Sequence, residues 1–171
     1  MANSRSDVMA NLLQNPQVKS STSRVGSRVR VKDCVVVLDN TEGAGHIVPL
    51  ARFHAGDRIL KIEGRYPAFV GATDVDIGLY AAGDWTVADQ TVVDQDILVS
   101  ADNWTAAVAI FTDLGTGAAG ERAASATVNE LWQDAALTAN DGRLFDLAIT
   151  FVADPGAAGT AVIRITYVAG D

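Results

Sequence analysis

Leu144–Val152 reads LFDLAITFV, residues 153–159 read ADPGAAG, and Thr160–Val168 reads TAVIRITYV. In the first run Phe145, Leu147, Ile149 and Phe151 fall on one side, with Asp146, Ala148 and Thr150 on the other. In the second, Ala161, Ile163, Ile165 and Tyr167 alternate with Val162, Arg164, Thr166 and Val168. A period of two marks a half-buried strand. Between the runs, Asp154-Pro155-Gly156 with Gly159 behind it is turn chemistry, because Pro presets φ and Gly accepts φ > 0. The pattern predicts a terminal β-hairpin with one apolar face, and such a face needs a second sheet to cover it.

Upstream segments supply that cover. Val29 and Val31 alternate with Arg28, Arg30 and Lys32, and CVVVL carries the strand to Leu38. His46 to Phe53 follows a Gly-rich turn and contains Pro49, which belongs on an edge or bulged strand. Arg58 to Glu63 is another strand. In Asp74 to Tyr80, Val75, Ile77 and Leu79 oppose Asp74, Asp76 and Tyr80, predicting an apolar inner face and a solvated acidic one. Ile97–Ser100 and Ala106–Phe111 continue the series, and the faces at 75–79, 97–99 and 108–110 are the expected cover. A helix is predicted over 128–136, where Thr127 and Glu130 fit a capping box and Val128, Leu131, Trp132 and Ala135 share a face. About eight short strands at regular spacing point to an all-β antiparallel sandwich or barrel. Two units follow: an extended arm, residues 1–27, and a β-sandwich domain, residues 28–171.

Charge divides along the same line. Overall the 171 residues carry −8. Residues 1–32 hold Arg5, Lys19, Arg24, Arg28, Arg30 and Lys32 against Asp7, a net of +5, so the other 139 residues carry −13. A basic arm on an acidic body suits a partner-binding role for those six cations; the arm alone could touch nucleic acid, and an acidic protein surface is at least as good a partner. The acidic body argues against nucleic acid as the main partner, since phosphate binding needs a positive footprint. No apolar run approaches the ~18 residues of a membrane span, and MANSRSDVMANLLQN lacks the pattern of a secretory signal. The single Cys34 excludes an internal disulfide framework and reads as a buried, inert thiol.

No residue set asks for catalysis, metal or cofactor. GTGAAG at 115–120 matches G-x-G-x-x-G but is not placed between a strand and a helix in a βαβ unit. His46 and His54 stand at strand ends without convergent ligands. Asp74, Asp76, Asp84, Asp89, Asp94 and Asp96 form an acidic surface without the EF-hand pattern, leaving Ca²⁺ or a glycan at loop 81–96 as an open alternative. Trp85 in that loop is a candidate interface anchor; Trp104 and Trp132 read as core.

The stretch HIVPLARFHAGDRILKIEGRYPAFVGATDVDIGLY, residues 46–80, resembles small virion proteins of tailed bacteriophages, which carry a similar strand, Ala-Gly turn and VDIGLY-like strand in this order. Residues 130–168, with their Glu-Leu-Trp helix and paired strands, resemble them too. The resemblance implies a jelly-roll-like sandwich acting as a capsid decoration, or cement, protein: a non-enzymatic homo-oligomer, trimeric at symmetry axes, that binds the major capsid protein. It would sit on the capsid surface of the virion after assembly in the host cytoplasm. Val162 and Val168, apolar on the outer side of the last strand, join Trp85 as expected interface residues. A carbohydrate- or receptor-binding module using Trp85, Tyr80 and the acidic loop is the second expectation.

Overall fold

A computed structural model describes residues 28–83, 91–115 and 129–170. They form eight strands: β1 (Val29–Leu38), β2 (His46–His54), β3 (Arg58–Tyr66), β4 (Val75–Ala81), β5 (Val92–Asp102), β6 (Val108–Asp113), β7 (Leu144–Phe151) and β8 (Gly159–Val168). One short helix, α1 (Leu131–Asp134), precedes β7. The strands make two four-stranded sheets, β1-β8-β3-β6 and β2-β7-β4-β5.

This order has a simple origin. Fold the chain once on itself, and β1 pairs with β8, β2 with β7, β3 with β6, and β4 with β5, all antiparallel. Roll up that ribbon, and β8 meets β3 while β7 meets β4. The result is a jelly roll, the two-sheet architecture that leaves few exposed edges. The expected all-β sandwich of about eight strands is thus what forms.

The expected terminal hairpin is not. β7 lies between β2 and β4, and β8 lies between β1 and β3 in the opposite sheet. The turn chemistry is present, with Gly156 at φ 62° and its N–H bonded to Asp154 Oδ1 at 2.8 Å. However, residues 152–158 bridge the sandwich rather than closing a hairpin. Phe145, Leu147, Ile149 and Phe151 therefore look across the core towards Ala161, Ile163 and Ile165, and all are buried. Period two says which side chains point inward; it does not say whether two inward faces belong to one sheet or to two that face each other.

Trp104 is fully buried at one end of the core. It stacks on Tyr66 at 4.2 Å and meets Phe151 edge-on at 5.7 Å. At the other end Phe53 and Tyr167 meet edge to face at 5.0 Å. Pro49 sits where expected: β2 is an edge strand, and its register shifts between Pro49 and Ala51. The cover at 108–110 is only partial, because β6 is an edge strand and Ile110 is 76% exposed.

The helix is shorter than the 128–136 expected, and its cap differs. Glu130 is the N-cap and shares a capping box with Gln133, whereas the predicted cap residue Thr127 lies outside the described residues. The helix N-terminus docks on the β2–β3 turn: Leu131 N–H donates to Asp57 O and Trp132 N–H to Ala55 O, both at 2.9 Å. The buried Asp57 carboxylate accepts N–H bonds from His54 and Gly170 at 2.9 Å, tying the chain's last strand to that turn.

Candidate interaction surfaces

Two outer faces carry the features that matter for function. The outer face of the β2-β7-β4-β5 sheet is closed over. All of β4 but its last residue is buried, as is all of β7 but its first. Asp76, expected on a solvated acidic face, is instead buried, accepting from Gln95 Nε2 at 2.7 Å and Ala101 N at 2.8 Å. The covering element is a bulge in β5. Ile77 pairs with Val99 but Leu79 with Asp94, so β5 has extra residues between these points. They lie across Gly78, where a Cβ would stand 2.1 Å from Asp94 O and 2.2 Å from Gln95 O.

Beside it, Arg52 holds Asp146 in a two-point pair, Nε–Oδ1 at 2.6 Å and Nη2–Oδ2 at 2.8 Å. The same guanidinium donates to Gly83 O at 2.6 Å. Tyr80 is fully buried, with its hydroxyl bonded to Thr150 Oγ1. That placement removes Tyr80 from any sugar-binding surface, and Trp85 lies outside the described residues. Burial pushes the Asp94 carboxyl up from its ordinary pKa, and the neighbouring Asp96 carboxyl, hydrogen-bonded to it, adds to the shift. Among the described residues no three His, Cys, Asp or Glu side chains gather as metal ligands do.

The outer face of the β1-β8-β3-β6 sheet is open, most of all along its edge strand β1. Val29, Val31, Val35 and Val37 point outward and are 60, 56, 65 and 68% exposed. Asp33 in their midst is paired with Arg164 of β8, Oδ1–Nε 2.8 Å and Oδ2–Nη2 3.0 Å, which holds the Asp33 carboxyl below its ordinary pKa. Arg164 also lies over the Phe111 ring at 4.0 Å. Even-numbered β1 residues face the core side, and Val36 and Leu38 are buried. This polarity is the reverse of what Arg30 and Lys32 suggest. In the first half of β1 that inner side carries Arg30, which is exposed, and Lys32, which lies over the Phe53 and Tyr167 rings.

The arm cations separate accordingly. Arg5, Lys19 and Arg24 fall outside the described residues. Arg28 and Arg30 are exposed. Lys32 is engaged within the chain: its Nζ donates to Arg52 O at 2.7 Å and sits 4.0 Å from the Phe53 ring centre and 5.3 Å from that of Tyr167. Val162 is half-buried, beside Val35. Val168, at 4% exposed, is already covered by its own chain, so it has no face left to give a neighbouring subunit. Cys34 is half-buried, and burial raises its thiol pKa, as an inert thiol requires. The sequence reading missed the valine row because CVVVL hides its alternation in an unbroken apolar run; only odd spacing from Val29 to Val37 betrays it.

Fold and surfaces together define the class: a two-sheet jelly roll with one sealed and one open outer face. Within that class the structure is similar to a chain of the "Capsid of Ralstonia phage GP4" at TM-score 0.57, with 14% identity over 84% of this chain and 86% of that one. It is likewise similar to a chain of the "Cyanophage Pam1 capsid asymmetric unit" at TM-score 0.50 and 16% identity, again over 84% and 86%. At these identities the likeness is one of fold, and it matches the resemblance read from residues 46–80 and 130–168. No protein-family model matches the sequence, and no curated protein matches it.

Proposed function

We propose that this chain is a virion structural protein that decorates a bacteriophage capsid and stabilises the shell. The observation that carries the reading is the jelly roll shared with chains of two phage capsid structures across 84% of its length. The polar groups buried in the described part support it, since Asp57, Asp76 and Asp146 hold turns and strands together. In this reading the protein is non-enzymatic, sits on the capsid surface after assembly in the host cytoplasm, and contacts the major capsid protein and copies of itself. Its basic arm, residues 1–27 with Arg28 and Arg30 at its root, reaches onto acidic patches of the shell or of a neighbouring subunit. A homotrimer at the lattice symmetry axes is the assembly the reading takes on the particle; the number of copies at each axis of a decorated particle measures it.

The test is occupancy of undecorated particles by purified full-length chain and by a chain lacking residues 1–27. The deletion is expected to reduce occupancy sharply at physiological salt, and added salt should weaken attachment of the full chain, because exposed charges are screened over about 8–10 Å. Equal occupancy by the two chains would remove the arm from the reading. No occupancy by the full chain would remove the decoration role itself.

A further inference from the structure

We infer that the free edge of β1 is a two-fold contact at which a second copy of this chain adds its own β1 antiparallel. Among the described residues β1 pairs only with β8. Its other edge offers main-chain donors and acceptors to an added strand, as long open edges do. The outward row reads Val29, Val31, Asp33, Val35, Val37, the same in both directions. An antiparallel copy centred on Asp33 sets Val29 against Val37 and Val31 against Val35, and then the reverse, giving four apolar cross-strand pairs. Such pairs are the unit of sheet stabilisation. Sliding the register by two residues either way leaves two such valine pairs in place of four, so the pattern favours the centred register.

The charge complementarity of that register lies at its ends. At the axis the two Asp33 carboxylates come face to face, a like-charge contact that costs stability and that the Arg164 partner of each offsets. At each end the exposed Arg28 of one copy comes beside Asp39 and Glu42 of the other, where the first strand ends in carboxylates. A parallel arrangement would set Arg28 beside Arg28 and lose that end-to-end complement. The same surface patch serves both partners, as an isologous contact requires. Val162, next to Val35 on β8, extends the apolar row inward.

Cross-linking tests the contact in the full chain with Cys34→Ser as background. Opposed residues of an antiparallel pair have Cα atoms about 4.5–5.5 Å apart, within disulfide range. Asp33→Cys is therefore expected to give a covalent dimer under mild oxidation. Val31→Cys alone is expected not to, because Val31 of one copy lies about four residues from Val31 of the other, yet Val31→Cys with Val35→Cys should cross-link. Val31→Lys with Val35→Lys, added to the Asp33→Cys chain, should abolish its dimer while circular dichroism stays that of a β-protein. No dimer from Asp33→Cys, equal cross-linking at Val31 and Asp33, or a dimer that survives the two lysines would each overturn the inference. A dimer that forms only after residues 1–27 are deleted would also overturn it, naming the chain's own arm as the occupant. Particle occupancy is measured separately, so failure here and failure of the decoration role are distinguishable.

Discussion

At the residue scale, environment rather than identity decides what each charged group does. Lys32 and Arg30 are two positions apart on one strand. Lys32 lies over the Phe53 and Tyr167 rings, while Arg30 stays in solvent. Lys32→Met keeps the packing stem and is expected to leave capsid occupancy unchanged, whereas Arg28→Ser with Arg30→Ser lowers it; equal losses would put Lys32 back among the arm contacts. Asp94 carries a pH effect of defined sign. Its carboxyl is raised in the folded chain, so the folded state holds the proton more tightly than the unfolded chain does. Its contribution therefore becomes more favourable as pH falls through the folded pKa, and at neutral pH the half-buried charge is a cost. Asp94→Asn is expected to raise Tm at pH 7, with the gain vanishing below the carboxyl's ordinary range near pH 4. Thermal melts at the two pH values check this, and a gain of equal size at both would contradict it. None of this was legible beforehand, because Asp94 and Asp76 read as members of a solvated acidic face. The β5 bulge includes Asp94 itself and covers Asp76 from about twenty positions away through Gln95 and Ala101, and it has no hydropathy signature.

At the element scale, the bulged β5 has one requirement written into β4. Gly78 is the position that lets the β5 main chain cross the sheet, since a Cβ there would run into the carbonyl oxygens of Asp94 and Gln95. Gly78→Ala forces the bulge outward and is expected to destabilise the chain by about 3 kcal/mol, as overpacking does. Denaturant unfolding measures it; a change under 0.5 kcal/mol would mean that the bulge is free to shift. Strand existence was legible for all eight strands, and so was the oddity of Pro49, because alternation and turn residues are local. The partner of each strand was not. Asp154-Pro155-Gly156 turns the chain in the same way whether it closes a hairpin or crosses between sheets. The helix illustrates the same limit: its capping residues were misplaced by one turn, since its first N–H groups are met by the carbonyls of Asp57 and Ala55, far away in sequence.

At the scale of the whole molecule, the ribbon that rolls into the sandwich joins residues distant along the chain. Asp33 and Arg164, 131 positions apart, close the first strand on the last. Loop closure of this kind precedes the contacts that reward it, so refolding is expected in the ms–s range of all-β folds, not in microseconds. Stopped-flow tryptophan fluorescence, to which the buried Trp104 contributes, measures it, and a full-amplitude microsecond phase would contradict it. Among the described residues that closure leaves β1 at a sheet edge, with its valines on the outer face.

The sequence by itself determined the all-β class, the strand count, the apolar inner faces and the charge division between residues 1–32 and the rest. These follow from period-two alternation, turn residues and composition, which act over a few positions. Only the tertiary structure decided that the last two strands face each other across the core, that Tyr80, Asp76 and Val168 are sealed in, and that the valine row of β1 is left out. Those outcomes depend on which strands become neighbours. A strand's pattern specifies its faces but not its partners, and partners are chosen by burying all the apolar faces at once.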